Sequence, residues 1–394
     1  KDVDIENNYK NLYLRYNQNT HKEQSLNINT FLNIFSRYKS FIFNSTNYAF
    51  NLMYASLSII TLVLFGYYEL AGEIGLFGSF FITFTQVLSS NIRATVISQN
   101  NINLALRTLI YRFLIVVFSS FIFYYILYFQ LAFVYKDIIF SFSILILSLW
   151  MSEMKLVILE IQKKLTLIKI IFISNILFIL LTLSLLLYNQ FLYLNLLLLS
   201  YAGLSILICL INILKETKKI DSDSIRMTYQ ENIKTIALGS SFTVVLSSFI
   251  WRLTIFYLFD KAIAGILYAS FAIGSFPGTF FNSIIGPTFV KLKLRISKIA
   301  MKLVNIFFTI IFFTIIFIII KIFNYESFNY TSTLFVVFAT LISLFGSFFM
   351  VKGMHLRHLL IQSNKKNMLD VFKFDIMYGA SISTYVFFLY FIGG

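Results

Sequence analysis

The chain reads as an all-α polytopic membrane protein made of two parallel repeats of six transmembrane helices, of which eleven are visible. Three observations predict this. First, 58% of the 394 residues are hydrophobic and only 12% are charged, about half the charge of an ordinary soluble domain. Second, the apolar residues gather into runs at 41–65, 70–92, 108–135, 138–152, 166–188, 190–214, 236–259, 262–290, 303–320, 331–351 and 374–394. Most reach about 20 residues, enough for a helix to cross ~30 Å of hydrocarbon. Third, all but four of the 32 Lys and Arg residues fall on one side when the gaps are numbered alternately. The exceptions are Lys136, Lys261 and Lys321 in the other gaps and Arg252 inside a run. Loops that keep cations stay in the cytoplasm during insertion, which predicts a cytoplasmic N-terminus.

The elements follow in order. Residues 1–40 form a polar arm with scattered apolar positions (Ile5, Leu12, Leu14, Phe31, Ile34), suited to a short interfacial helix or to disorder. Residues 41–214 hold the first bundle of six spans, the fourth reaching full length only if it continues past Glu153 towards Leu159. Residues 215–235 form a basic linker, and residues 236–394 the second bundle, with five spans. Shifting the sequence by 193 residues places Leu70-Ala71-Gly72-Glu73 on Ile263-Ala264-Gly265-Ile266 and the basic gap Arg93–Arg107 on Gly286–Ala300. Span and loop lengths match better than residue identities. Six is even, so both halves start on the same side and the repeat is parallel. A twelfth span would complete the second half. The closing Gly393-Gly394, directly after a run, and the opening Lys1 fit a chain cut short.

Several functions are excluded. The net charge of +15 is spread over short loops where it sets topology and meets anionic lipid, so nucleic acid is not an expected partner. No G-x-x-x-x-G-K-[ST] loop is present, so transport would draw on an ion gradient, the membrane potential or the substrate's own gradient. Cys209 is the sole cysteine and is assigned to packing. His355 and His358 are three apart but lack a neighbouring Cys or carboxylate, so no metal is expected. No catalytic triad, carboxylate pair or cofactor loop stands out, and the chain is not read as an enzyme.

Polar residues inside the runs are the costly ones and point to function. Asn44, Asn47, Asn51, Tyr54, Ser58 and Thr61 recur every three or four residues, on one face of the first span. Ser79, Thr83, Gln86, Ser90 and Arg93 repeat the device in the second, and Ser241, Ser248 and Arg252 in the seventh. Such stripes either bond neighbouring helices or line a wet cavity. The substrate-binding candidates are Arg252, Arg93, Asn44, Asn47, Asn51, Gln86 and Ser248. Arg252 lies roughly 24 Å up its span. It either snorkels or pairs with Asp260, or it faces the cavity and binds an anion such as a pyrophosphate. Glu153 is the candidate for coupling to H+ or Na+. The only two prolines, Pro277 and Pro287, share span eight with Gly278 and predict a bent, hinge-like helix or a static kink.

The stretch Phe65-Gly66-Tyr67-Tyr68-Glu69-Leu70-Ala71-Gly72-Glu73-Ile74-Gly75-Leu76 running into Asn91-Ile92-Arg93, with Ala264-Gly265-Ile266 through Phe276-Pro277-Gly278, resembles the Wzx-like polysaccharide flippases of the multidrug/oligosaccharidyl-lipid/polysaccharide exporter superfamily. The resemblance spans about residues 36–394. It implies a V-shaped pair of bundles around a central cationic cavity in which spans one, two, seven and eight are prominent. The missing twelfth span departs from that pattern. The expected function is translocation of a lipid-linked oligosaccharide across a bacterial inner membrane for O-antigen or capsule biosynthesis. The rivals are a drug or metabolite exporter of the same fold, and a membrane-embedded polymerase or glycosyltransferase. The second would need a polar loop far larger than the short outer gaps here. A non-catalytic scaffold would not need cavity-like stripes.

Overall fold

A computed structural model describes residues 28–89, 92–130, 133–216, 240–292, 337, 339–347, 349, 373 and 376–384. Every regular element among them is helical. The helices are α1 (Ile28–Leu64), α2 (Tyr68–Ser89), α3 (Ile92–Gln99), α4 (Ile102–Tyr125, continued by a π-helical turn Ile126–Gln130), α5 (Lys136–Ile161), α6 (Leu165–Leu187), α7 (Phe191–Glu216), α8 (Ser240–Leu258) and α9 (Lys261–Leu292). Six of them, α1, α2 and α4 to α7, contain stretches long and apolar enough to cross a membrane. The apolar parts of α8 and α9 described to side-chain level are shorter, Leu246–Leu258 and Lys261–Phe276.

Most expected run limits match these helices within a few residues, and α5 continues past Glu153 to Ile161. Two differences stand out. The arm is helical from Ile28, where Ile28, Phe31 and Phe35 already carry helical apolar spacing. The gap after the second run is not a loop but the eight-residue α3. Asn101 caps the next helix by accepting from the Leu104 amide at 3.0 Å.

Four reversals in the first half share one device. Gly66, Asn100, Lys163 and Asn189 take positive φ. Around each, paired bonds close the helix C-terminus: Gly66 N to Val63 O with Tyr67 N to Leu62 O, and Asn189 N to Leu186 O with Gln190 N to Leu185 O. The same pairs recur after α3 and α5. These Schellman closures use carbonyls that hydrocarbon would otherwise leave bare.

The core of the first half is α5, with 89% of its apolar window buried against 22% in each of α4, α6 and α7. α1, α2, α4, α6 and α7 all touch it. Phe118, Phe121 and Leu192 on the outer helices are about 70% exposed, a surface that water would penalise and acyl chains accept. At the lysine-poor end an aromatic cluster ties the turns together: Tyr67 with Phe191 (5.0 Å between centroids), Phe77 with Phe133 (5.2 Å) and Phe133 with Phe256 of the second half (6.4 Å).

The halves meet along α9, which packs on α1 and α2, while α8 packs on α2. These are spans one, two, seven and eight. α9 runs unbroken from Lys261 to Leu292, so neither Pro277 nor Pro287 ends the helix. Its turns before Pro277 are braced by hydroxyls of residues 339–347. Ser343 donates to Phe271 O at 2.6 Å, and Ser347 to Gly274 O at 3.2 Å. Such side-chain donors add partners to carbonyls in the turns before a proline, where the regular helical ladder is interrupted.

Candidate functional site: the seam between the halves

The seam begins with two glycines. A Cβ on Gly72 would overlap the carbonyl oxygen of Lys261, and one on Gly265 would overlap the carbonyl oxygen of Tyr68. Tyr68 and Lys261 are 193 residues apart, as are Gly72 and Gly265. The register found by shifting the sequence therefore reappears as a reciprocal contact, each glycine pressed on the residue four before its counterpart. One turn further, Gly75 meets the ring of Tyr268, again 193 residues on. Here a glycine of α2 faces a tyrosine of α9, so the contact is not reciprocal. Backbones approach this closely in membranes only where side chains are absent.

Charged groups flank the crossing. Glu73 is 1% exposed and its Oε1 accepts from Lys261 Nζ at 2.7 Å. Its Oε2 has no hydrogen-bond partner among the described residues. Lys261 is about one-third exposed and also lies 4.9 Å from the Phe133 ring. Arg252 is 9% exposed. Its Nη1 donates to Gly75 O at 3.3 Å, and its guanidinium lies 5.7 Å from the Tyr268 ring. The Tyr268 hydroxyl donates back to the Arg252 carbonyl. One turn earlier on α8, Ser248 shares a 2.8 Å hydrogen bond with Tyr378. Asp260 does not pair with Arg252: it caps α9 through the Ile263 amide at 2.8 Å.

A second polar cluster lies in the first bundle. Arg112 Nη1 donates to Glu153 Oε2 at 2.8 Å and to Trp150 O at 2.6 Å, and its Nη2 donates to Ser89 Oγ at 3.2 Å. Trp150 Nε1 donates to the same Ser89 Oγ at 2.5 Å. The Tyr48 phenol lies near Glu153, Arg93 and Arg112. Arg93 is 7% exposed, with its guanidinium 3.9 Å from the centre of the Tyr48 ring. The cluster fastens the end of α2 at Ser89 to α4 and α5.

The structure distributes the sequence candidates between three places. Arg252 and Ser248 lie at the seam. Arg93 and Glu153 lie in the Arg112 cluster. Asn47 is placed against α6: its amide donates to Ile168 O at 3.0 Å and accepts from Asn175 at 3.1 Å, and Tyr201 donates to Asn175. Tyr54 of the same stripe bonds Thr182 of α6 at 3.5 Å. These two stripe residues therefore join helices within one bundle and do not face the seam, because 3.6-residue periodicity sets a face but not its neighbour. Asn51 and Gln86 are half-buried, and Gly278 is buried in α9. The side chains of Asn44, Pro277 and Pro287, and all of His355 and His358, lie outside the described residues.

A cavity of about 20 Å³ lies between α1, α2, α5, α6 and α7, lined by Tyr54, Ser58, Phe142 and Thr182 among others. That is room for about one water, not for a substrate. Sequence reading missed the partners Lys261, Tyr268, Arg112, Trp150 and Ser89. Lys261 and Tyr268 lie on the 193-residue register of Tyr68 and Gly75, but a register pairs positions in the sequence and does not give contacts. No family model, curated protein or solved structure matches the chain.

Proposed function

We propose that this chain is a flippase of the bacterial inner membrane, with its N-terminus and lysine-rich end cytoplasmic. It moves an undecaprenyl-pyrophosphate-linked oligosaccharide to the periplasmic leaflet for O-antigen or capsule synthesis. The observation that carries the reading is the reciprocal crossing of Gly72 and Gly265. It joins α2 and α9, which the 193-residue shift pairs, through bare backbone, with a buried cation, Arg252, beside it. Repeat interfaces are where alternating-access transporters place substrate and movement. Near the lysine-poor end α2 and α9 are in backbone contact, and on this reading the substrate passes when they part. In that state Arg252 and Arg93 attract the pyrophosphate or an acidic glycan, and Asn51, Gln86 and Ser248 bond sugar hydroxyls. α9, with Gly278 between its two prolines, supplies the hinge.

Two buried carboxylates, Glu73 and Glu153, are each held by a cation. At the seam Glu73 is the carboxylate concerned, and its pairing with Lys261 among the described residues favours an anionic over a cationic cargo. Glu153 suits coupling to H+ or Na+, since either ion would displace Arg112 from it. The test is translocation by the purified chain in vesicles, read as loss of access of a fluorescent lipid-linked oligosaccharide to an impermeant glycosidase. The wild-type chain is expected to translocate it, and Arg252→Ala to slow transfer at least about tenfold, the rate equivalent of one charge-assisted hydrogen bond. Transfer no faster than in protein-free vesicles rejects the function, and an unchanged rate in the variant rejects the role of Arg252.

A further inference from the structure

Among the described residues, the buried cation Arg252 has no anionic partner. A guanidinium carries five N–H donors. Here the described partners are one carbonyl at 3.3 Å and one aromatic ring, and Nε has no hydrogen-bond partner among the described residues. The neighbouring carboxylates are engaged elsewhere, Glu73 by Lys261 and Asp260 by the start of α9. Burial of an uncompensated charge is costly. The closed seam therefore holds Arg252 in a state that an anion would relieve. Hydroxyls stand ready around it: Ser248 lies one turn away on the same face of α8, Tyr378 is hydrogen-bonded to it, and the Tyr268 ring lies beneath the guanidinium.

We propose that the seam is an oxyanion-operated closure. Arg252 exchanges the Gly75 carbonyl for a phosphate or pyrophosphate group, with Ser248 and Tyr378 as additional donors, and this exchange releases α8 from α2. The inference rests on the reading that the two halves move, and adds what drives the movement: the anion itself shifts the equilibrium, with no sugar required. The bare carbonyl and the oxyanion compete for one guanidinium, and the oxyanion accepts two parallel N–H bonds where the carbonyl takes one. Arg252 is too buried for an anion to reach it in the closed form, so the ligand binds only the open form. At 100 times its dissociation constant for that form, the probe raises the open-to-closed ratio about 100-fold.

The experiment uses the full chain with Cys209→Ala, carrying spin labels at Tyr188→Cys and Tyr257→Cys. Both positions are exposed at the lysine-poor end, one in each half. Distances are measured in neutral-lipid nanodiscs with no addition, with inorganic pyrophosphate, or with a polyprenyl phosphate in the bilayer, and with chloride at matched ionic strength as the screening control. A longer-distance population is expected to grow with the phosphate probes and not with chloride. A response to both probes assigns the effect to the oxyanion, and a response to the polyprenyl phosphate alone assigns it to a lipid headgroup. Arg252→Ala should abolish the response and Arg252→Lys should weaken it, while Ser248→Ala with Tyr378→Phe should raise the probe concentration needed. Unchanged wild-type distances with both probes, or a wild-type response in Arg252→Ala, overturns the proposal. The readout is independent of sugar transfer. Anion-driven opening without translocation would leave this inference standing and remove the flippase reading, and translocation without anion-driven opening would do the reverse.

Discussion

Arg112 and Glu153 show how much one side chain can carry in this molecule. Their side chains are 1% and 6% exposed and 2.8 Å apart. Arg112 also reaches Trp150 O and Ser89. Removing one partner of such a pair leaves a buried charge and costs about 3–5 kcal/mol, whereas replacing both by apolar residues of like volume is often neutral. Arg112→Met is therefore expected to lose about 3–5 kcal/mol in thermal or denaturant unfolding in micelles, and Arg112→Met with Glu153→Leu to recover most of it. A loss below about 1 kcal/mol in the single variant would mean the pair is solvated and not a buried anchor. At this scale the sequence was legible only in part. Glu153 stood out because a carboxylate in an apolar run is rare, but Arg112 was counted among loop cations, since run edges drawn from hydropathy place it near the interface. Asn47 shows the other failure. Its stripe is real, yet which helix lies opposite that face depends on packing order, and the face meets α6.

At the scale of elements, glycines separate into those that permit an approach and those that do not. A Cβ at Gly72 or Gly265 would strike backbone of the opposite helix, whereas Gly203 in α7 has open space around its missing Cβ. Gly203→Ala is expected to be neutral or to stabilise by up to about 1 kcal/mol through helix propensity alone. Gly72→Ala and Gly265→Ala must push α2 from α9, with a loss above about 1 kcal/mol each, as overpacking costs. Melting temperatures of the three variants check the ranking, and equal values for Gly203→Ala and Gly265→Ala would show that the crossing yields easily. Helix positions were legible because ~20-residue apolar runs leave few choices. The short α3 was not, although Asn100-Asn101 carries the signal: one asparagine turns left-handed and the next caps α4. The bracing of α9 was not legible, because which carbonyls near a proline gain a donor depends on another helix, here through Ser343 and Ser347.

For the whole molecule, the parity of spans and the charge of the gaps make one claim, that a single end faces the cytoplasm. The 193-residue register was legible as matched loop lengths and returns as the reciprocal contact of Gly72 and Gly265. How closely α2 and α9 meet was not legible, because a matched register pairs stretches of sequence but does not set how tightly they pack. The sidedness now has a direct test, since the one cysteine, Cys209, is fully buried and gives a low labelling background. Lys164 lies in the turn after α5 and Tyr188 in the turn after α6, both exposed, and the 23-residue α6 separates them. A helix of that length rises about 35 Å, more than the hydrocarbon is thick, so the two turns cannot share a face if α6 spans. In intact cells with a permeabilised outer membrane, an impermeant maleimide is expected to label Tyr188→Cys at once and Lys164→Cys only after lysis. Labelling in the opposite order would invert the topology and direct the proposed transfer inward. Labelling of both before lysis would mean that α6 does not cross the membrane, and the two-lobed arrangement would fall with it.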